Sequence, residues 1–221
     1  MSESFKYQTQ KIQLARGENE RGIVIGNTTD KYQSSKLIVR RLINGFTQSF
    51  DSLVKQVDPS DIHEVGCGEG YWSIRLAQAG YQIRGSDFSS KVIAMARENA
   101  AAMGLPIAFK AQSIYDLCQQ DDAANLIICC EVFEHLEHPS QGLDALSQLA
   151  HPYLLVSVPR EPMWRLLNMA RGKYWRRSGN TPGHLQHWSK RGFLRFLSSR
   201  FDIIETRSPL PWTMALCRSR Q

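Results

Sequence analysis

The sequence predicts an α/β domain built on a mostly parallel sheet. Three observations carry that expectation. Strand-sized apolar runs alternate with segments of helical period; a glycine-bearing turn separates the first such strand from the helix after it; and the last two strands follow one another across a proline-bearing turn. Alternating strands and helices place helices on both faces of a parallel sheet, while a closing strand–turn–strand pair makes one strand antiparallel.

The elements follow in order. Ser34 to Val57 carries Leu37, Ile38, Leu42, Ile43 and Phe46 at helical spacing. A short strand, Asp61–Val65, leads into the glycine turn, and a helix over Trp72–Ala79 is ended by Gly80. Strand two, Tyr81–Ser86, meets Asp87. Ser89 or Ser90 caps a helix running to Ala102 and closed by Gly104. Strand three is Ile107–Ala111 and strand four Asn125–Val132, followed by a helix over Ser140–Leu149 and strand five, Tyr153–Val158. A final helix, Lys190–Ser199, precedes strands Phe201–Thr206 and Thr213–Arg218, with Pro209 and Pro211 between them. At 221 residues one domain is expected. Within it, 1–57 form an N-terminal cap and helix, 58–159 the core, 160–188 an inserted cap, and 189–221 a C-terminal helix and hairpin.

Composition narrows the class. Hydrophobic residues make up 42% and charged residues 22%, ordinary for a globular protein. The polar start MSESFKYQTQK has no apolar signal core, no run reaches membrane-spanning length, and the five cysteines form no CxxC pair. These features lead us to expect reduced thiols and a cytoplasmic location. The charge is uneven. From Arg160 onward there are 13 Lys/Arg against 3 Asp/Glu, whereas the first 159 residues hold 14 against 18. A basic C-terminal third is either a solvated face or a surface for an anionic partner.

The strongest local motif is His63-Glu64-Val65-Gly66-Cys67-Gly68-Glu69-Gly70. Alternate glycines let the chain turn sharply and a ligand approach its backbone, and the following helix offers free N–H groups. Asp87 lies 17 residues beyond Gly70 at the end of strand two, where folds of this kind place a ribose-binding carboxylate. A dinucleotide-binding oxidoreductase requires G-x-G-x-x-G, but Tyr71 occupies the last glycine's place.

With these motifs, residues 61–159 resemble the seven-stranded, Rossmann-like class I methyltransferases that use S-adenosylmethionine. The resemblance extends to the segment Cys129-Cys130-Glu131-Val132-Phe133-Glu134-His135-Leu136. It implies that Gly66, Gly68 and Gly70 cradle the methionine end of the cofactor, that Asp87 binds the ribose, and that Phe88 lies beside the adenine. Glu64, Cys130 and Glu131 are implied to line the same site. The family usually places an acidic residue after strand three, but this chain has Gln112 and Ser113, so an amide or backbone contact is expected in place of the carboxylate.

Glu131-x-x-Glu134-His135 forms a second motif. Two carboxylates and an imidazole within five residues can converge on one divalent ion. The wording is similar to two metal-dependent O-methyltransferase families, one acting in ubiquinone synthesis on a catechol-like diol, the other on the terminal ribose 2′-hydroxyl of small RNAs. In the RNA family a further histidine lies four residues before a Trp-Ser/Thr pair; here His184 precedes Trp188-Ser189 by four, with His187 a close competitor. The expected metal ligands are Glu131, Glu134, His135 and His184, with Mg²⁺ or Mn²⁺ as the ion, and the expected catalytic residues are His135, Glu134 and His184. The bland alternative is a pocket lining that binds no metal. The expected reaction is O-methylation of a diol-type small molecule, lipid-linked or glycan acceptor. The alternatives are RNA ribose 2′-O-methylation and a methyltransferase-like binding module without activity.

The third feature is Arg160–Arg177, REPMWRLLNMARGKYWRR. Met163, Trp164, Leu166, Leu167, Ala170 and Tyr174 are placed on one helical face with basic residues at its edges. That reading offers either a lid packed on the domain or a contact with an anionic membrane surface. Gly26–Tyr32 and Gly179–His184 are glycine-bearing loops able to close over the cofactor.

Overall fold

The computed structural model describes residues 12–20, 23–27, 31–32 and 34–220. A small antiparallel hairpin, β1 (Asn19–Glu20) and β2 (Ile23–Val24), precedes α1 (Leu37–Val57). The main body then runs β3 (Ile62–Val65), α2 (Tyr71–Gln78), β4 (Ile83–Asp87), α3 (Ser90–Ala102), β5 (Ala108–Ala111), α4 (Gln119–Asp122), β6 (Ala124–Cys130), α5 (Pro139–Leu149) and β7 (Ala150–Pro159). It closes with α6 (Met163–Ala170), α7 (Lys190–Leu197), β8 (Phe201–Arg207) and β9 (Trp212–Ser219). Short 3-10 turns lie at Ile114–Asp116 and Trp175–Arg177.

The seven main strands form one sheet in the order β5-β4-β3-β6-β7-β9-β8. All run parallel except β9, which is antiparallel to both its neighbours. The expected Rossmann-like α/β sheet, with helices on both faces and one reversed strand, is the fold observed. Strand periodicity explains the layers. Ile127 and Cys129 of β6 pack with α5 and α7 on one face, while Leu126 and Ile128 pack with α1 and α2 on the other. Burial of β3 extends to its polar residues, and each has a partner. His63 bridges the Asp122 carbonyl and the Ser86 hydroxyl, both at 2.8 Å, and the Glu64 carboxylate accepts from the Ser73 hydroxyl at 2.5 Å.

Several expected boundaries shift for physical reasons. The α1 helix starts at Leu37, not Ser34, and Leu37 and Ile38 lie outside its buried stripe, which begins at Ile43. Strand four stops at Cys130 because Glu131 takes a left-handed backbone (φ 60°), which an extended ladder cannot contain. Ser89, not Ser90, caps α3, its hydroxyl accepting from the Val92 N–H at 3.3 Å. The cap helix is shorter than its apolar pattern. It ends at Ala170, so Tyr174 is not on its face, and the chain turns back through Gly172.

Candidate active site

The strand order reverses beside β3. The chain moves outward from β3 through β4 to β5, then returns to place β6 on the other side of β3. The carboxyl ends of β3 and β6 therefore flank a crevice, the usual ligand position in open α/β sheets. Both sequence motifs lie at its two lips.

On the β3 lip, Gly66, Gly68 and Gly70 all have positive φ (78°, 52° and 83°). The Gly66 and Cys67 N–H groups donate to the Ser86 carbonyl at 2.7 and 3.0 Å, tying the turn to β4. A side chain at Gly66 would strike Val132, 2.3 Å from an added Cβ, whereas one at Gly68 would meet nothing within 4 Å. Gly66 is thus required by packing, and Gly68 faces open space that a ligand can occupy. Asp87 accepts from Gly68 N–H and Ser89 N–H, both at 3.0 Å, which fixes its carboxylate at the mouth of the turn. Each oxygen keeps a lone pair for a ligand hydroxyl. Burial raises Asp87 to about 6 and Glu64 to about 8. Phe88 is partly exposed beside Asp87. Gln112 donates to the Asp116 carbonyl at 2.6 Å, while its own Oε1 is buried without a partner among the described residues. Ser113 caps the 3-10 turn that follows.

On the β6 lip, the structure joins Glu134, His135 and His184 into one cluster whose ligand atoms all lie within 4.8 Å of each other. The 183–186 loop is held there by two backbone bonds, Leu185 and Gln186 N–H donating to the Glu134 carbonyl at 2.8 and 3.0 Å. The His135 and His184 rings meet edge to face at 5.0 Å. His135 Nδ1 lies 2.9 Å from the Gly183 carbonyl, which only accepts, so Nδ1 carries the proton and Nε2 is left with a lone pair. Nε2 sits 4.0 Å from Glu134 Oε1, and Glu134 Oε2 is buried without a partner among the described residues. Burial holds both imidazoles neutral, His184 falling to about 3, and lifts Glu134 to about 8.

Glu131 does not join this cluster. Its two oxygens accept from the Ser157 hydroxyl (3.0 Å) and the Trp212 indole N–H (2.6 Å), so it is turned toward β7 and β9 rather than toward the histidines. The four-ligand expectation becomes a three-ligand cluster. Glu131 instead lines a pocket with Lys31, Tyr32, Ile43, Phe46, Trp72 and Trp212, and is raised to about 8 by burial and by Glu134. Cys130 is partly buried beside it, and burial pushes its thiol well above the usual range.

Sequence reasoning missed several residues. Trp164 of α6 stacks on His184 (5.9 Å, 24°) and donates to the Thr181 hydroxyl at 2.9 Å, while Asn168 donates to Gly179 and Thr181. The cap helix and the His184 loop are therefore one unit. Trp212 links Glu131 to Phe46 and Trp164. Glu69, inside the glycine turn, binds the N-terminal segment instead of a ligand. Its carboxylate accepts from Ala15 N–H, Asn27 N–H and the Asn27 amide at 2.7–3.0 Å. A carboxylate set directly between two expected cofactor glycines, Gly68 and Gly70, was the one available signal. Of the Gly26–Tyr32 loop, Thr28, Thr29 and Asp30 lie outside the described residues.

Residues 62–152 match the family model described as Methyltransferase domain. A ubiquinone biosynthesis O-methyltransferase of Methylococcus capsulatus is 29% identical over 147 residues, 59% of this chain and 61% of that protein. One of Bordetella parapertussis is 31% identical over 90 residues, 40% of this chain and 37% of that protein. The chain thus spans about three-fifths or less of the length of the curated relatives it matches. Among solved structures, magnesium protoporphyrin IX methyltransferase from Synechocystis PCC 6803 with bound S-adenosylhomocysteine superposes at TM-score 0.65 with 21% identity, covering 86% of this chain and 94% of that one. A Clostridium acetobutylicum S-adenosylmethionine-dependent methyltransferase superposes at 0.63 with 9% identity, covering 80% and 92%. The crevice, its glycine turn and its sheet order define a nucleotide-type cofactor fold. Residues 62–152 match a methyltransferase domain, and the fold of the chain is that of the solved S-adenosylmethionine-dependent methyltransferases.

Proposed function

We propose that the chain transfers a methyl group from S-adenosylmethionine to a hydroxyl oxygen of a small diol-type acceptor, with a divalent ion at the Glu134–His135–His184 cluster. The observation that carries this reading is the placement of that cluster across the crevice from the glycine turn and Asp87. The residues present suit the cofactor. Gly68 leaves its backbone open, Asp87 retains acceptor lone pairs, and the orphaned Gln112 Oε1 suits an amine donor such as that of adenine. S-adenosylmethionine carries net positive charge, and the crevice is lined by the buried carboxyls of Glu64, Asp87, Glu131 and Glu134. The relatives named O-methyltransferases support oxygen as the acceptor atom.

The cluster suits an ion. Its orphaned Glu134 oxygen needs a partner, and one carboxylate with two imidazoles favours Mn²⁺ or a similar first-row ion over Mg²⁺, which prefers oxygen alone. When bound, the cofactor supplies an activated methyl group and the ion supplies Lewis acidity at a hydroxyl. The chain's own residues align and deprotonate the acceptor. With the ion bound, the His135 Nε2 lone pair would be one of its ligands, Gly183 holding the ring in the required tautomer; the second oxygen of the Glu134 carboxylate is then the group placed to take the hydroxyl proton, and Trp164 with the 179–184 loop positions His184 and shields the site from water. Calorimetry with S-adenosylhomocysteine and turnover assays on candidate catechols with and without EDTA test the proposal. Expected are cofactor binding that EDTA leaves intact and turnover that EDTA abolishes and Mn²⁺ restores. Full turnover in EDTA would remove the ion and leave His135 as a general base alone; tight NADH binding without S-adenosylhomocysteine binding would sink the cofactor reading.

A further inference from the structure

We infer that the rim of the acceptor pocket, formed by the start of α1 and the cap turn after α6, docks on an anionic lipid surface and turns the pocket mouth toward the bilayer. The methyltransferase reading is needed only to name the pocket; the surface itself stands on other observations. At the start of α1, Lys36, Leu37, Ile38, Arg40 and Arg41 are all exposed, Leu37 by 79% and Ile38 by 77%. No Asp or Glu occurs from Lys31 to Phe50. In the cap, Leu166 (56%) and Trp175 (65%) are exposed among exposed Arg171, Lys173, Arg176 and Arg177, and Glu161 is the one acidic residue between 160 and 177. None of these bases makes an ion pair among the described residues.

The two segments lie more than a hundred residues apart in the chain, yet the helix of each sends an aromatic ring to Trp212. Ile43 and Phe46 of α1 line the pocket with Trp212, and the Trp212 ring lies 5.1 Å from Phe46 and 5.8 Å from Trp164 of α6. The cap turn is also held in shape. Tyr174 and Ser178, at φ 58° and 48°, bracket Trp175–Arg177, and Arg165 donates to the Ser178 carbonyl at 2.8 Å. Two non-glycine left-handed residues cost conformational energy, and the turn they make leaves Trp175, Arg176 and Arg177 in solvent.

The composition of the rim selects its occupant. Basic side chains alone fit any polyanion. Exposed Leu37, Ile38 and Leu166 gain nothing from a phosphate backbone, but they do gain from entering the boundary between headgroups and acyl chains, where Trp also partitions and Lys and Arg meet anionic lipid. A bilayer satisfies both halves of the surface together.

Sedimentation of the full chain with vesicles of phosphatidylglycerol and phosphatidylcholine, against pure phosphatidylcholine, tests this at low and high salt. Binding should require the anionic lipid and weaken as salt rises. The doubles Leu37→Ser/Ile38→Ser and Arg176→Glu/Arg177→Glu should each lower partitioning at least roughly tenfold, since each removes one half of the interaction. S-adenosylhomocysteine binding measured on the same samples should be unchanged, which shows that the variants fold. No binding to acidic vesicles at low salt would overturn the inference. So would vesicle binding unmoved by the Leu37/Ile38 double, or tighter binding to a single-stranded polynucleotide that this double retains. Failure of the methyltransferase reading would appear separately, as loss of S-adenosylhomocysteine binding in a wild-type protein that still sediments with vesicles.

Discussion

The two lips of the crevice are built in opposite ways. The β3 lip is local. Gly66, Gly68 and Gly70 follow a buried strand directly, and Asp87 reaches them across one βαβ unit through bonds to Gly68 and Ser89. The β6 lip is assembled from distant segments. His184 comes from a loop about fifty residues beyond Glu134 and His135, Trp212 from β9, and Tyr32 and Lys31 from before α1. A short-range site is specified by turn chemistry, whereas a long-range one depends on every contact that carries its loops home. The first should therefore fail residue by residue, and the second as a unit.

The largest expected effect falls on the assembled lip. His184→Ala and Glu134→Ala should each lower turnover by about 10²–10⁴-fold while S-adenosylhomocysteine affinity stays within a factor of two or so. Trp164→Ala should reproduce much of the His184 defect, because it removes both the ring beneath His184 and the donor to Thr181. Full activity in the Trp164 variant would show that the lip does not act as a unit.

Next come the local residues. Asp87→Ala should weaken cofactor binding by about 1–3 kcal/mol, the cost of losing charged hydrogen bonds, with a smaller effect on the melting temperature. Unchanged affinity by calorimetry would detach Asp87 from the ribose.

Gly66 and Gly68 give a smaller, sharper contrast. Gly66→Ala should destabilise the protein by about 1–3 kcal/mol, because its Cβ meets Val132 and its backbone is left-handed. Gly68→Ala meets no atom and should cost only the backbone strain, about 1 kcal/mol. It should nevertheless weaken cofactor binding as much as Gly66→Ala does. Equal thermal shifts for the two would contradict this division between packing and ligand space.

The smallest effect is in pH. Burial raises Glu64 from 4.5 to about 8 and Asp87 from 3.8 to about 6, so between those limits the folded chain holds protons that the unfolded chain has released. Stability is then greatest near the unfolded values and is lost as pH rises toward 8. The melting temperature of the cofactor-free protein should fall from pH 5 to pH 8. A cationic cofactor favours the charged carboxylates, so its binding should tighten over the same range and release protons. Calorimetry in two buffers of different ionisation enthalpy reads that release directly, and equal heats in both would refute it.

Much of the architecture was legible because its signals are periodic and local. Alternation in β6 sorts Leu126 and Ile128 from Ile127 and Cys129 without reference to any other strand. The glycine turn and the Ser-capped α3 depend on residues only a few positions apart. The sequence by itself determined the parallel sheet with its single reversed strand, the place of the glycine turn, and the pairing of Glu134 with His135. Tertiary structure decided what adjacency cannot. It turned Glu131 away from the histidines, because Trp212 and Ser157 offer hydrogen bonds from β9 and β7. It gave Glu69 to the N-terminal segment, ended the cap helix at Ala170, and left Leu37 and Ile38 outside the core although they continue an apolar run. The physical reason is the same each time. A buried carboxylate takes whichever donors the fold brings within about 3 Å, and an apolar side chain is covered only where another element packs above it. Both depend on chain segments far away in sequence.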